Sequence, residues 1–148
     1  NEPVAAVNGH SYQPPASKWR RESAVTAELT MRSGCHFVMA STSEAQSNGF
    51  ELRLECELGS LRYRNAISFS FEEAIEVAMP DGGPWQPIAI DSRSTLTLDQ
   101  QVVTVFVEWL LGGKEPETSG RRNLQVLGVL EALLESSKHG GRVAVATV

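Results

Sequence analysis

Three histidines are the side chains best suited to general acid–base chemistry at neutral pH in this sequence. His10 lies in a proline-rich loop, residues 8–15, where it could contact a substrate. His36 directly follows Cys35 on a predicted strand, so the two side chains point to opposite faces and form no catalytic pair. We expect His36 on the outer face of a sheet. His139 ends a predicted helix, where the helix dipole favours a cation.

Three tryptophans could offer a stacking surface for a sugar ring. Trp109 lies on a predicted helix among apolar neighbours and is expected in the core or in an interface. Trp85 follows a Gly-Pro pair in a polar loop, and Trp19 sits among the charges of segment 18–21. We therefore name His10, Trp19 and Trp85 as the candidate substrate-binding residues.

The remaining reactive side chains indicate no catalytic or metal site. Glu72, Glu73 and Glu76 form no isolated acid pair in an apolar setting, so a glycosidase mechanism is unsupported, and a solvated strand edge explains them. Cys35 and Cys56 lie in predicted strands without a CxxC motif or a nearby histidine cluster, which argues against zinc. We expect two small buried thiols, with a disulfide as the alternative.

Composition narrows the class of protein. The chain has 148 residues and a net charge of -5, and its short basic clusters argue against nucleic-acid binding. No apolar run of membrane-spanning length and no signal peptide is visible, so we expect a soluble, cytoplasmic protein. The chain begins with Asn1 and enters a strand-like segment at once, as an excised fragment would.

Alternation of apolar and polar residues predicts a series of strands in the first two thirds of the chain. Phe50 to Cys56 is the clearest, with one apolar and one charged face, and we expect Arg62 and Arg64 to pair with Glu55 or Glu57. A turn is predicted at Ser33-Gly34 and a loop at residues 80–84, and the segment 41–49 is polar and turn-like. The predicted strands are residues 2–7, 24–31, 35–40, 50–56, 61–64, 67–71, 74–78 and, at the end of the chain, 142–145.

Helical spacing of apolar residues predicts two helices in the last third of the chain. The first has Thr97 or Asp99 as its N-cap and ends at Gly112-Gly113. The second runs from about residue 123 to 138 and is closed by two glycines. Strands followed by helices predict an α+β fold, with an open, mostly antiparallel sheet and helices packed on one face.

The tail of the chain resembles the C-terminal end of the Gfo/Idh/MocA oxidoreductases, relatives of glucose-fructose oxidoreductase and inositol dehydrogenase. The matching segments are 106–116, Ser119-Gly120, 127–137 and 140–143: a helix ending in a Gly-x-x-Pro-like turn, a second helix with Leu-x-Glu-Ala-x-x-x-Ser character, and a final strand. The segment 50–61 resembles the family's glycine-containing strand pair, although Glu55 or Cys56 stands where the family has its first glycine. The resemblance extends from about Val4 to Val145.

The resemblance implies a glyceraldehyde-3-phosphate dehydrogenase-like C-terminal domain that supplies part of the substrate pocket and the dimer surface. The family binds its dinucleotide on an N-terminal Rossmann domain, and no G-x-G-x-x-G sequence occurs in this chain. The family's Glu-Lys-Pro segment and its catalytic helix are also missing. We therefore expect residues 1–148 to be a single domain with no catalytic, cofactor-binding or metal-binding residue of its own.

The expected function follows from that resemblance. The parent protein would be an NAD(P)-dependent oxidoreductase acting on a sugar, polyol or similar hydroxy compound, and this chain would be inactive alone. Its partners would be a second copy, paired through the open sheet face, the missing Rossmann domain and a small-molecule substrate. The alternative is a stand-alone α+β module that binds a small ligand or a protein without catalysis. A closed cavity would favour that alternative, and a flat, partly apolar sheet face would favour the dimerisation domain.

Overall fold

Antiparallel strands and two long helices form the fold. The computed structural model describes residues 2–45, 49–65, 73–89 and 97–146. The chain divides into two compact units, residues 1–44 with 98–148, and residues 45–97. The elements are β1 (Val4–Tyr12), β2 (Ala24–Met31), β3 (His36–Thr42), β4 (Phe50–Cys56), β5 (Gly59–Asn65), β6 (Glu73–Ala78), β7 (Gln86–Ile88), α1 (Leu98–Leu110), α2 (Gly120–His139) and β8 (Val143–Ala144).

The first unit contains a four-stranded antiparallel sheet in the order β3-β2-β1-β8, covered on one face by α2. Val7 on β1 lies opposite Leu29 on β2, and both belong to the buried core. Ala132 and Leu133 are the buried α2 residues of that core. Removing such apolar surface from water is the main stabilising term for a sheet and helix of this kind.

Gly9 allows α2 to approach β1 closely. A Cβ atom at this position would lie 2.3 Å from Cδ1 of Leu133. The predicted loop at residues 8–15 is wrong for Gly9, because β1 continues to Tyr12. The glycine serves close packing rather than a turn, and the paired prolines Pro14 and Pro15 come after the strand.

Helix α2 has well-formed ends. The Ser119 hydroxyl accepts a hydrogen bond from the backbone N–H of Arg122 at 3.3 Å, which makes Ser119 the N-cap. Gly140 has a φ of 74° at the C-cap, and its N–H donates to the carbonyl of Ser136. The helix begins at Gly120, three residues before the predicted start at Asn123, because the cap lies at Ser119. The helix ends at His139, one residue beyond the predicted end at Lys138, so His139 lies at the helix C-terminus as predicted.

Helix α1 begins at Leu98, between the two N-cap candidates Thr97 and Asp99. It ends as predicted before two glycines: Gly112 has a φ of 94°, and the N–H of Gly113 donates to the carbonyl of Glu108 at 2.9 Å. Its predicted apolar stripe stays exposed, in contrast to the stripe of a core helix. The exposed apolar residues of α1 and its C-terminal turn are Val102, Val103, Val105, Phe106, Val107, Trp109, Leu110 and Leu111.

The second unit is a four-stranded antiparallel sheet in the order β4-β5-β6-β7. Leu52, Tyr63, Ile75 and Ile88 share a cross-strand row and therefore one face. The opposite face carries Glu51, Arg53, Glu55, Arg62, Arg64 and Glu76. β4 has its predicted bounds, β5 begins at Gly59 rather than after it, and β7 was not predicted. The predicted strand 67–71 lies outside the described residues.

Both cysteines are free and exposed, which contradicts the prediction of buried thiols. Cys35 precedes β3, which begins at His36, so it sits in the hairpin turn instead of on a packed strand face. Cys56 is the last residue of β4, where the chain turns towards β5. Neither helix in the described part of the chain is long and apolar enough to cross a membrane.

Candidate functional site

The three candidate binding residues fall in both units. His10 lies on β1 and Trp19 in the connection from β1 to β2, both in the first unit. Trp85 lies in the connection from β6 to β7, in the second unit.

His10 lies on the sheet face that points away from α2. Side chains alternate along β1, and Val7 belongs to the core under α2, so His10 points the other way. Its exposed ring stacks on Tyr12, with centroids 5.6 Å apart and planes inclined by 10°. His10 also borders an open hollow of about 510 Å³, together with Asn8 and Glu28. The predicted loop position was wrong, but the exposure that a ligand contact requires is present.

The same outer face carries the second histidine, as predicted. Nδ1 of His36 lies 2.5 Å from Oε1 of Glu28, on the neighbouring strand. Both side chains are about half exposed, so this is a surface pair with a modest effect on stability. The imidazole of His36 binds the carboxylate of Glu28. The Cys35 thiol donates instead to the backbone carbonyl of His36 at 3.9 Å, so the two side chains form no catalytic pair.

Trp19 belongs to a connection whose backbone is held by several hydrogen bonds. The N–H of Ser17 donates to the carbonyl of Pro14 at 2.9 Å, and the N–H of Trp19 donates to the Ser17 hydroxyl at 3.1 Å. The side-chain amide of Gln13 donates to the carbonyl of Trp19. The position of Trp19 is thus set by its own loop, although its side chain is 50% exposed.

Glu44 fastens this loop to the end of β3. The hydroxyls of Ser17 and Ser23 both donate to Oε1 of Glu44, the latter at 2.8 Å. These two hydrogen bonds, with a smaller contribution from the charge of Lys18, hold the pKa of Glu44 below its ordinary value, against the opposing effect of desolvation. The carboxylate is therefore ionised at neutral pH and accepts both bonds.

An open hollow of about 480 Å³ lies on this loop and is lined by residues 18–23 and Ser43. Lys18, Arg20 and Arg21 lie around it. The sequence places Trp19 among these charges as a candidate binding residue, and the basic cluster is too short to indicate nucleic-acid binding. The loop combines three cations with an indole that is half exposed in the structure, and the sequence already shows these residues next to one another.

Trp85 sits beneath two arginines of the second unit. The guanidinium carbon of Arg62 lies 4.5 Å from the ring centroid of Trp85, and that of Arg53 lies 5.3 Å from it. Both distances are within the range of a cation–π interaction. Trp85 is half-buried, and its ring is occupied by these side chains of its own unit. Sequence reasoning missed both arginines, because only the strand register brings them to this indole.

Glu76 binds the two arginines of β5. Arg62 Nη2 and Arg64 Nη2 each lie 2.8 Å from Oε2 of Glu76. Partial burial of the carboxyl group would raise the pKa of Glu76, but the hydrogen bonds and charges of the two guanidinium groups outweigh that effect and lower it. The predicted partners of these arginines, Glu55 and Glu57, were wrong, and Arg53 is the arginine that pairs with Glu55.

The solvated strand edge predicted for these glutamates is wrong for Glu76. β6 lies between β5 and β7, and the side chain of Glu76 is only 14% exposed. Its partner in the register is Arg62, which explains why a carboxylate is tolerated there. Glu72 lies outside the described residues.

A third, apolar hollow of about 390 Å³ lies along α1 and the start of α2. Phe106 and Trp109 line it and meet edge to face, with ring centroids 6.0 Å apart. Trp109 is 37% exposed, so it lies at a surface rather than in the described core. The core alternative for Trp109 is therefore wrong, and its place in an interface stays a prediction.

The described residues do not fit a dinucleotide or a metal ion. Every strand pair in the two sheets is antiparallel, so the parallel βαβ unit that presents a helix N-terminus to a pyrophosphate does not occur among them. The helix with the clearest N-cap, α2, follows a loop instead of a strand. Within residues 2–45, 49–65, 73–89 and 97–146, no three His, Cys, Asp or Glu side chains come together as a metal site.

No family model matches the chain, and no curated protein matches it by sequence. Solved structures match it over almost its whole length. The aldose-aldose oxidoreductase of Caulobacter crescentus, complexed with glycerol, aligns with a TM-score of 0.80 and 22% identity, over 97% of this chain and 42% of that protein. This chain has the fold of the C-terminal portion of such oxidoreductases.

Two further structures extend the comparison. The WlbA dehydrogenase of Bordetella pertussis, in complex with NADH and UDP-GlcNAcA, aligns with a TM-score of 0.71 and 21% identity, over 99% of this chain and 41% of that one. Levoglucosan dehydrogenase, in complex with NADH, aligns with a TM-score of 0.77 and 14% identity, over 99% and 46%. The chain thus spans less than half the length of these proteins. The predicted α+β class and the resemblance to Gfo/Idh/MocA oxidoreductases are confirmed at the level of the fold.

Proposed function

We propose that this chain is the single substrate-side and dimerisation domain of an NAD(P)-dependent oxidoreductase that acts on a sugar, polyol or similar hydroxy compound. The observation that carries the proposal is the alignment of nearly all of this chain with less than half of enzymes of that class. The names of those three enzymes and their complexes refer to sugars, to glycerol and to NADH. Membership of the Gfo/Idh/MocA family is part of the proposal.

The described residues support a division of roles between domains, in which the nucleotide binds to a domain other than this one. They contain antiparallel sheets without a dinucleotide-binding turn, whereas α1 and its C-terminal turn expose eight large apolar side chains. An apolar surface of that kind is typical of a protein–protein or domain interface. The missing partner in this proposal is an N-terminal Rossmann domain.

Dimerisation through the open sheet face is a second part of the proposal. The face of the first sheet that points away from α2 includes Val38, which is 77% exposed, and Tyr12, which is 40% exposed. An exposed, partly apolar face can pair with its own copy across a two-fold axis. The hollows found among the described residues are open, so they give no support to the alternative of a closed ligand-binding module.

A cytoplasmic location completes the proposal. Two free, exposed thiols persist most readily in a reducing compartment. Fractionation of cells that express the natural protein would test this part directly. Recovery with a periplasmic or secreted marker would contradict it.

The decisive experiment compares this chain with the longer protein that the proposal requires. Titration with NADH and NADPH should give no micromolar binding to residues 1–148 alone, whereas the protein with its N-terminal domain should bind one of them and, with the oxidised cofactor, should turn over a member of a sugar and polyol panel. Micromolar binding by the isolated chain would contradict the division of roles. A longer protein without nicotinamide-linked turnover on that panel would contradict the proposed activity.

The dimer is tested separately by sedimentation equilibrium. Replacing Val38 and Tyr12 with Glu and Ser, respectively, should shift the protein towards monomer, because a buried charge in an apolar contact is costly. The matched control is Val126→Glu on α2, which is also exposed. Because α2 covers the opposite face of the sheet, this substitution should leave the sheet-mediated dimer intact. A protein that is strictly monomeric at high concentration would contradict this part of the proposal.

A further inference from the structure

The connection between β1 and β2 presents cations that the described part of the chain leaves unpaired. Residues 18–22 carry three positive charges and one negative charge, a net charge of +2 in a chain whose overall charge is -5. No ion pair involving Arg20 or Arg21 is formed among the described residues. Neighbouring like charges repel one another, and a bound anion removes that repulsion.

This loop differs from the arginine-rich face of the second unit. There Arg53, Arg62 and Arg64 already bind Glu55 or Glu76, so their charge is satisfied internally. On the β1–β2 connection the nearby carboxylate of Glu44 is instead occupied by the hydroxyls of Ser17 and Ser23. The guanidinium groups of this loop therefore remain available to an external partner.

Trp19 adds a ring-binding surface beside these cations. Its side chain is 50% exposed and lines the same hollow of about 480 Å³ as Lys18, Arg20 and Arg21. A half-exposed indole offers a flat apolar face, and the apolar face of a sugar ring or another ring packs against such a surface. Cations alone would bind an anion of any shape, whereas the indole selects one that carries a ring.

The loop is already ordered before a ligand binds. Gln13 and Ser17 hold the backbone at Trp19 by the hydrogen bonds described above. The hydroxyls of Ser17 and Ser23 lie 3.1 Å apart, and both donate to Glu44. A binding surface that is preorganised in this way loses less conformational entropy when the ligand arrives. The hollow is large enough for a monosaccharide and its charged substituent.

We propose that the hollow lined by residues 18–23 and Ser43 binds a sugar that carries an anionic group, with Arg20 and Arg21 binding the carboxylate or phosphate and Trp19 stacking on the ring. Guanidinium groups match both anions by paired, charge-assisted hydrogen bonds. This inference rests on the proposed function, since it names the class of substrate. A nucleic acid is disfavoured because the chain has a net charge of -5 and its basic clusters are short.

The test measures binding to this chain by calorimetry at low ionic strength, with glucose 6-phosphate, glucuronate and uncharged glucose as probes. We expect at least one of the charged sugars to bind about tenfold more tightly than glucose, as a charge-assisted contact predicts. The charged probe that binds identifies phosphate or carboxylate as the recognised group. Binding should weaken as salt is added, because the site is exposed and its charges are screened.

Two variants assign the binding to this loop. The double variant Arg20→Gln, Arg21→Gln should lose most of the preference for the charged sugar, and Trp19→Leu should weaken the charged and uncharged sugars alike. The matched control is Lys114→Gln, Arg142→Gln, which removes the same charge from exposed positions elsewhere in the first unit and should keep the preference. Circular dichroism of each variant confirms that it is folded.

Three results would overturn the inference. They are equal binding of glucose and both charged sugars, an equal loss of binding in the control variant, and binding of single-stranded DNA without binding of any sugar anion. None of these measurements uses a nicotinamide cofactor. If the sugar anions bind as expected but the longer protein shows no nicotinamide-linked activity, the proposed function is wrong and the anion site remains. If the longer protein is active but this chain binds no sugar anion, the proposed function remains and the anion site is wrong.

Discussion

The backbone N–H of Gly9 donates a hydrogen bond to the hydroxyl of Ser136 at 2.9 Å, which joins β1 to the last turns of α2 across 127 positions of sequence. The same hydroxyl donates to the carbonyl of Gly141. Next to it, Ser137 bonds the N–H and carbonyl of Ser11. β8 pairs only with Ala6 and Val7, so these two serines satisfy the edge of β1 beyond the point where the neighbouring strand ends.

Ser136→Ala should therefore destabilise the first unit. Ser136 is 1% exposed, and its loss leaves the N–H of Gly9 without its partner in a partly buried position. A cost of about 1–3 kcal/mol in the free energy of unfolding is expected for a buried donor left unsatisfied. Urea unfolding followed by circular dichroism measures it. The control is Ser41→Ala at an exposed position of β3, and an equal effect of both substitutions would contradict the role of the hydroxyl.

Gly9→Ala should destabilise the chain through a clash with Leu133. The added Cβ would lie 2.3 Å from Cδ1 of Leu133, so the leucine side chain or the helix must move, at a cost of about 1–3 kcal/mol. The same substitution made in a Leu133→Ala background should cost less, because the obstructing atom is gone. A double-mutant cycle of unfolding free energies measures the difference. Additive effects of the two substitutions would show that the contact is not the cause.

Stability should fall in acid as the carboxyl group of Glu44 takes up a proton. Hydrogen bonds from Ser17 and Ser23 lower the pKa of Glu44 in the folded state from its ordinary value of 4.5, so the folded protein binds this proton less readily than the unfolded chain does. The resulting stabilisation is fully present above pH 4.5 and is lost as the pH falls from there through the lower folded pKa. Thermal unfolding between neutral and acidic pH measures this loss.

The variant Glu44→Gln tests whether Glu44 causes this loss of stability in acid. It should lower the melting temperature at neutral pH and flatten its dependence on pH in the acid range. Glu22→Gln, at an exposed neighbouring position, should keep the slope of the parent protein. An unchanged slope in Glu44→Gln would mean that other carboxylates, such as Glu55 and Glu76, account for the effect.

Glu76→Gln should loosen the second unit and change the surroundings of Trp85. Loss of the carboxylate leaves Arg62 and Arg64 close together without the anion that holds them, and Arg62 is the guanidinium nearest the indole ring. We expect a lower melting temperature and an altered fluorescence of Trp85, read in a Trp19→Phe, Trp109→Phe background. Glu51→Gln on the same sheet is the control. Unchanged emission in Glu76→Gln would contradict the proposed arrangement of arginine and tryptophan.

Sequence patterns predicted the bounds of strands and helices well where those bounds depend on neighbouring residues. The alternation in Phe50–Cys56 matched the bounds of β4, and the paired glycines after Leu111 marked the end of α1. The prediction failed at Gly9 and at the cysteines. A glycine in a strand and a glycine in a turn look alike in sequence, and the difference here is the approach of Leu133 from 124 positions away.

In the candidate site, too, features that depend on neighbouring residues were predictable and features that depend on distant contacts were not. The basic loop with Trp19 is contiguous in sequence, so its composition was visible from the start, although its unpaired state was not. The partners of Trp85 and Glu76 come from other strands, and their identity depends on register. A different register would have produced the contacts with Glu55 or Glu57 that were predicted instead.

The α+β class, the two helices with their glycine ends and the resemblance to an oxidoreductase C-terminal region could all be read from the amino-acid sequence, because each depends on residues near one another along the chain. Which charges are satisfied became evident only from the folded chain: Glu76 binds Arg62 and Arg64, and Glu44 binds two serines, whereas Arg20 and Arg21 find no carboxylate among the described residues. Electrostatic pairing depends on distances of a few ångströms between segments, and those distances exist only after strand register and helix packing have been established.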